Sequence, residues 1–301
     1  MQLGIDLGGT KIAAAVLETQ GEMIWQHRLP TPTGNYGATV QDIASLVHKA
    51  EKELGVRCTV GVATPGSTSP TTGLMRNCNS TCLNGKDLGH DLQVALDRPI
   101  RMANDANCFA LSEAVDGAGS ASACVFGAIL GTGVGGGLVL DKQLLRGKNA
   151  IAGEWGHNPV PFSVSERESR PCYCGRNDCI ETWLSGPALA QSYAQVSRST
   201  RNESAERVVS MASNGDSQAS QVLDAYIDDL AQAFATIVNT LDPDIIILGG
   251  GVGQISRLLE ELPQKMTAYV FADDFTTPIV RPRYGAASGV RGAARLFPAY
   301  E

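Results

Sequence analysis

Twice in this chain a buried apolar run enters a glycine-rich turn and comes back as a second apolar run: LGIDLGGTKIAAAVL near the start and ACVFGAILGTGVGGGLVLDKQLL near mid-length. Each pattern predicts a β-hairpin with a glycine tip. A third turn, Gly249-Gly250-Gly251, follows the buried run DPDIIIL. The two halves share no sequence repeat, so the echo is one of architecture and not of a solenoid. This doubling constrains the fold more than any other feature, because each hairpin needs a sheet to extend and helices to cover it.

The intervening segments supply both. Val40, Ile43, Leu46, Val47, Ala50 and Leu54 recur at helical spacing, and RCTVGVA reads as a buried strand. The strand IRMA runs into NDANCFALSEAVDG, where Asn104 or Asp105 caps a helix ending near Gly117. Val222, Tyr226, Leu230, Phe234, Ile237, Val238 and Leu241 mark a long amphipathic helix, and a last helix spans Gly289 to Leu296. The expectation is two α/β domains, 1–117 and 118–288, with 289–301 returning to the first. Ligands then bind where the glycine tips converge.

Composition narrows the partners. With 24 basic against 31 acidic residues and net charge -7, no electrostatic footprint for nucleic acid or an anionic membrane surface is expected. No apolar run approaches the ~20 residues that span a bilayer. The start, MQLGIDLGGTK, lacks signal-peptide regions, and Cys58, Cys78, Cys82, Cys108 and Cys124 are scattered singly. Both features suit a reducing cytoplasm. The sequons at Asn79 and Asn202 are accordingly read as chance matches.

Glycine tips let backbone N–H groups approach an anion closely. Gly8-Gly9-Thr10-Lys11, Gly131-Thr132-Gly133 and Gly249-Gly250-Gly251 are the candidates, with hydroxyl donors at Thr10 and Thr132. Asp6 is placed to hold the water shell of Mg²⁺. Any one loop reads first as a tight turn; three that follow buried strands point to a nucleotide cleft. LLRGKNA lacks the first glycine and last hydroxyl of a P-loop, and GTGVGG sits in a hairpin instead of opening a helix, which argues against a dinucleotide fold.

The motifs DLGGTK, NDANC, GTGVGGG, GEWGH, CYCGRNDCIE and DPDIIILGGG, in this order and over essentially the whole chain, resemble the ROK family of bacterial sugar kinases and repressors. TPGSTSPTTGLMRNCNSTCLNG and GHNPVP are most similar to bacterial fructokinases of the manno(fructo)kinase type. The resemblance implies a two-domain ribonuclease-H-like fold of the actin and hexokinase type, closing a central cleft over ATP and a sugar. It also implies Mg²⁺ as cofactor and a homodimer. Repressors of the family carry an N-terminal helix-turn-helix, whereas here the first strand begins at Leu3 and net charge is negative, so an enzyme is expected. The expected reaction transfers the γ-phosphoryl of ATP to D-fructose, giving fructose 6-phosphate. Mannose, glucose and N-acetylglucosamine are the alternative acceptors.

Phosphoryl transfer to a hydroxyl needs a carboxylate that accepts the hydroxyl proton. By itself Asp105 reads equally as a helix cap or as that base; the resemblance implies the base, with Asn104 on a neighbouring sugar hydroxyl. Glu154 and Glu181 alone read as solvated charges, and the resemblance makes them sugar ligands together with Gly66, Asn79 and His157. Between the two glutamates, His157, Cys172, Cys174 and Cys179 offer one nitrogen and three sulfurs, a set suited to tetrahedral zinc. The C-x-C-x₄-C spacing leaves a reduced, metal-free loop open, while the resemblance implies a zinc. Four protein ligands leave no open position, so that zinc is structural. Two positions depart from the family: Asp178 where glycine is usual, and Cys82 where the fructokinases carry an aromatic residue.

Overall fold

The computed structural model describes residues 1–164, 167–198 and 203–297; Asn202 and the last residues of the expected 289–301 segment lie outside them. The chain begins with β1 (Gln2–Leu7), β2 (Lys11–Leu17), β3 (Met23–Pro30), α1 (Tyr36–Leu54) and β4 (Thr59–Thr64). A small ladder, β5 (Ser67–Thr68) and β6 (Met75–Arg76), precedes α2 (Leu88–Leu96), β7 (Ile100–Asn104) and α3 (Asp105–Val115). The second half contributes β8 (Cys124–Leu130), β9 (Val134–Leu140), β10 (Gln143–Leu144), α4 (Glu181–Leu184), α5 (Gly186–Ser197) and α6 (Ala205–Ser213). It ends with α7 (Ser217–Leu241), β11 (Ile245–Gly249), α8 (Ser256–Met266), β12 (Ile279–Val280) and α9 (Ser288–Ala294).

These elements form two compact units, one of Met1–Ala121, Gly137–Ala152 and Arg283–Glu301, the other of Ser122–Gly136 and Gly153–Pro282. The first carries a sheet in the order β3-β2-β1-β4-β7, antiparallel across β3, β2 and β1 and parallel across β1, β4 and β7. Leu3, Ile5, Val60 and Val62 are fully buried in it. Helix α1 turns Ile43, Leu46, Val47 and Ala50 inward, the stripe its spacing predicts. Asn35 caps its start by accepting from the Ala38 amide, and Gly55 ends it in the left-handed region at φ 68°.

Helix α9 returns to the same sheet, and glycine makes the contact possible. A Cβ on Gly61 would stand 1.8 Å from the Ala293 carbonyl oxygen, one on Gly4 would stand 2.0 Å from that of Val290, and one on Gly292 would stand 1.6 Å from that of Cys108. Only backbone without side chains fits at this spacing, so α9 lies directly on β1, β4 and α3. Buried Glu113 fixes the approach to α9, accepting from the amides of Ala118, Arg283 and Tyr284 and from the Ser288 hydroxyl. Asp116 adds an ion pair to Arg291 at 3.0 Å and to Arg295 at 2.6 Å.

The second sheet has the order β10-β9-β8-β11-β12, with β8, β11 and β12 parallel. In the second unit, α7 buries Val222, Leu223, Tyr226, Ile227, Leu230, Phe234 and Val238. Phe234 stacks on Trp155 at 5.1 Å, and Phe126 meets both rings edge-on.

Three local readings change. Strand β3 was not legible, because its residues alternate between half-buried and exposed and include charges typical of an edge. The expected strand LVLDKQLL is broken: Asp141 and Lys142 take φ 48° and 61°, a two-residue hairpin turn that pairs Leu140 with Gln143. Of the expected tip GTGVGGG, only Gly131–Gly133 form the turn, since Val134 to Gly137 already belong to β9.

Candidate active site

In the first unit the parallel strands β1, β4 and β7 end side by side. Asp6 pairs with Ala63, and Thr64 with Asn104, so Asp6 and the Asn104-Asp105 turn reach the same sheet edge. Asn104 has extended backbone (φ -69°, ψ 163°), and its side chain accepts from the Asn107 amide at 2.8 Å. Asn104 is therefore the cap of α3. Asp105 is the first helical residue, its Oδ1 accepting from the Ala106 amide at 2.8 Å.

Both carboxylates at this edge are held above the ordinary carboxylate range. Asp105 is open to solvent at the side-chain surface, yet the protein around it displaces enough water to push its pKa up, against the pull of the amide bonds it accepts. Asp6 is raised to about 6, first by burial and then by the negative charge of Asp105, with Lys11 pulling the other way. Gly8 and Lys11 close the turn after Asp6 through an amide-to-carbonyl bond of 3.0 Å, and Thr31 braces it by donating to the Gly8 carbonyl at 2.7 Å. Gly9 and Thr10 are exposed at the tip.

Gly66 follows β4 where a Cβ would meet the Arg76 carbonyl at 2.5 Å and the Cys78 sulfur at 2.7 Å. That close packing brings the segment carrying Asn79 towards the end of β4. Asn79, Ser80 and Cys82 share a cavity of about 270 Å³ with Leu7, Gly9, Thr31 and Leu83. No spacing rule in the sequence links Thr31 to Asn79.

In the second unit, Gly131 and Thr132 line a cavity of about 670 Å³ with Gly251, Val252, Gly186, Pro187, Gln191 and Glu206. Gly249 ends β11 beside Ile129. Gly250, at φ 82°, passes so close to β8 that a Cβ would stand 2.2 Å from the Leu130 carbonyl. The Gly186 amide donates to the Gly131 carbonyl at 2.7 Å, which ties the start of α5 to the turn. Sequence reasoning missed Gly186, Pro187, Gln191 and Glu206. Ser185-Gly186-Pro187 is a readable helix start, with Ser185 accepting from the Ala188 amide, but only folding carries it to Gly131.

The cysteine loop docks on the same turn. Trp155 donates from Nε1 to the Gly135 carbonyl at 2.7 Å, and Gly156 leaves room for the Val134 carbonyl. Glu154 precedes Trp155 and is half-buried. Glu181 opens α4, and its Oε2 accepts from the Val134 amide at 2.9 Å. Any side chain at Gly133 would collide with that oxygen.

The ligand atoms of His157, Cys172, Cys174 and Cys179 all lie within 4.8 Å of one another. His157 Nδ1 is 3.6 Å from Cys172 Sγ, and Cys174 Sγ is 3.6 Å from Cys179 Sγ. A tetrahedron with Zn–S bonds of about 2.3 Å has S–S edges of about 3.8 Å, so the Cys174–Cys179 edge already suits that ion, and one nitrogen with three sulfurs suits it in chemistry and number. His157 Nε2 lies 2.9 Å from the Tyr173 hydroxyl, the kind of outer contact that fixes the tautomer of a ligating histidine. Asp178 adopts φ 53°, the conformation for which glycine is the usual solution. Its carboxylate repays the strain by accepting from Ser169 Oγ, the Arg170 amide and Trp183 Nε1 at 2.6, 2.9 and 3.0 Å. Buried Arg170 braces the loop further, donating to the Thr182 and Ala188 carbonyls, Ser192 and Gln195.

The ROK family model matches residues 2–300. An N-acetylgalactosamine kinase of Shewanella sp. (strain ANA-3) is 41% identical over 300 residues, 98% of this chain and 96% of its own. An N-acetyl-D-glucosamine kinase of Salmonella paratyphi A is 37% identical over 301 residues, 98% and 99% of the two chains. Among solved structures, a ROK hexokinase from Thermus thermophilus superposes with a TM-score of 0.86 at 29% identity, covering 97% of this chain and 96% of that one. No helix among the described residues is long and apolar enough to cross a membrane. The fold is the ribonuclease-H-like ATPase fold of actin and hexokinases, with its mixed sheet in each half. The chain belongs to the ROK family.

Proposed function

We propose that the protein is an ATP-dependent sugar kinase and that its acceptor is an N-acetylated hexosamine. The observation that carries the kinase reading is the placement of Asp105: Asn104 supplies the helix cap, which leaves the Asp105 carboxylate available at the sheet edge beside Asp6. In the reaction, Asp105 takes the proton of the acceptor hydroxyl as its oxygen bonds to the γ-phosphorus and the bond to the ADP oxygen breaks. Asp6 would hold Mg²⁺, which would supply charge to offset that of the phosphates. Amides and hydroxyls of Gly8–Lys11, Gly131–Gly133 and Gly249–Gly251 hold the nucleotide, in the way glycine turns bind anions. Asn104, Gly66, Asn79, Glu154 and Glu181 hold the sugar. His157 would hold a zinc through Nδ1, leaving Nε2–H to turn towards a hydroxyl. Cys172, Cys174 and Cys179 would complete the zinc set, and the ion would have a structural role, fixing the loop between the two glutamates.

The acceptor reading draws on the relatives and on the first-unit cavity. The two N-acetylhexosamine kinases align over 98% of this chain. The cavity beside Asn79 has apolar walls at Leu7, Cys82 and Leu83 and polar groups at Thr31, Asn79 and Ser80. An acetamido group presents a methyl and an amide, and needs both kinds of wall. Cys82, where an aromatic residue is usual in fructokinases, leaves that space open. Fructose, the acceptor implied by the motif resemblance, is the competitor. In a side-by-side measurement, kcat/KM for N-acetylglucosamine or N-acetylgalactosamine should exceed that for fructose, mannose and glucose at least about tenfold, a difference of about 1.4 kcal/mol. A lead for fructose would overturn the N-acetyl reading and leave the kinase standing.

The same edge predicts opposite pH trends for activity and stability. Asp6 must be ionised to hold Mg²⁺, so kcat/KM should fall as pH drops through about 6. For stability the sign reverses. A carboxyl raised from 3.8 to about 6 by folding favours the folded state fully below 3.8, and that advantage is lost as pH rises through 6. Asp6→Asn should therefore melt like wild type near pH 4 and above it at pH 8. A melting difference independent of pH would refute the assignment.

A further inference from the structure

The larger second-unit cavity contains a feature that polyphosphate binding does not explain. Its walls are mostly backbone and small residues, Gly131, Thr132, Gly186 and Gly251, but one rim carries the carboxylates of Glu203 and Glu206. An anion beside a triphosphate is repulsive, and Glu206 lies exposed at the rim, so these carboxylates face the uncharged part of the ligand. Glu206 is aimed across the cavity: its Oε1 lies 3.8 Å from the position a Cβ on Gly251 would take. Its orientation is held locally. Ser204 caps α6 by accepting from the Arg207 amide at 3.3 Å, and its hydroxyl donates to the Glu206 carboxylate. That bond keeps the carboxyl below its ordinary pKa and therefore ionised.

Resting on the reading of this cavity as the ATP site, we infer that Glu206 is a specificity-determining residue that accepts a hydrogen bond from the ribose 2′-hydroxyl, so that the protein selects ribonucleotides over deoxyribonucleotides. The chemistry is a match of acceptor to donor. An ionised carboxylate has only lone pairs to offer, and a ribose 2′,3′-diol is the donor-bearing, uncharged part of a nucleoside triphosphate. The phosphates then point away from Glu206, towards the amides of the Gly131-Thr132 turn. The deoxy analogue forfeits this charge-assisted hydrogen bond, and that loss is what discriminates against it.

Calorimetric titration tests this without requiring turnover. Wild-type protein should bind Mg²⁺·ATP about tenfold more tightly than Mg²⁺·2′-deoxyATP, the loss typical of one charge-assisted hydrogen bond. Glu206→Ala should weaken ATP about tenfold and leave 2′-deoxyATP within about twofold of wild type, so that the preference disappears. Glu206→Gln, which keeps the shape and a carbonyl acceptor, should fall between the two. Melting curves of each variant verify that α6 is folded. Equal affinity of wild type for the two nucleotides, or a preference that survives in Glu206→Ala, overturns the inference. Failure of every sugar to be phosphorylated, with the binding preference intact, would instead count against the kinase reading alone.

Discussion

Asp105→Asn is expected to lower kcat by at least the ~10²-fold typical of general-base loss while the protein stays as stable as wild type or becomes more so. Both halves follow from its position. The amide preserves shape and can still accept from Ala106, but it cannot take a proton. Its surroundings also disfavour the ionised carboxylate, because desolvation raises its pKa, and its charge in turn raises that of Asp6, so removing the charge relieves the folded state. A residue that only capped a helix would behave differently: Asn is as good a cap as Asp, so activity and stability would both be unchanged. The control is Asn104→Ala, which removes the actual cap and should cost about 1 kcal/mol of stability. Initial rates and thermal melts on the two variants separate the roles, and wild-type turnover in Asp105→Asn would sink the base assignment.

Loss of the sulfur cluster is the second large effect. Protein purified without added zinc should contain about one zinc per chain, and Cys174→Ser should lose it, because one missing thiolate opens the tetrahedron. The expected cost in kcat/KM is about 10²-fold, the scale of a small misplacement of substrate-holding groups. Glu154 and Glu181 sit at the two ends of this loop, and Glu181 bonds the Val134 amide beside the glycine turn. Global stability should suffer less than activity. Arg170, Asp178 and Trp155 secure the loop through bonds that need no metal, so the variant should melt as a folded protein while protease cuts the 170–180 segment faster. Full activity in a sample verified to be free of zinc would remove the metal from the proposal.

Much of this molecule was readable before folding. The hairpin LGIDLGGTKIAAAVL forms as two apolar runs about a glycine tip should, with Leu7 opposite Ile12. The stripe from Ile43 to Ala50 faces the core of the first unit. Such features rest on local rules, since periodicity decides which face is apolar and a short polar side chain decides where a helix starts. The four metal donors were also visible, because three of them fall within eight residues of chain, Cys172 to Cys179. Asp178 shows where local reading stops: its tolerance of φ > 0 was foreseeable, but the three donors that stabilise it come from Ser169, Arg170 and Trp183.

What the sequence determined by itself was the inventory: hairpins, helices, glycine turns, the carboxylate at the Asn104-Asp105 turn and the sulfur cluster, each specified by neighbours a few residues away. Tertiary structure alone decided the assignments among them. Whether Asn104 or Asp105 caps α3 depends on the backbone angles at the end of β7, and those are set by pairing with β4. That α9 lies on β1 and β4 depends on Gly4 and Gly61 meeting Val290 and Ala293, more than 200 residues away in the chain. The wall formed by Gly131, Gly186, Gly251 and Glu206 likewise joins four separate segments. Contacts of this kind leave no period in the sequence, because their energy comes from surfaces that exist only after the sheets have formed.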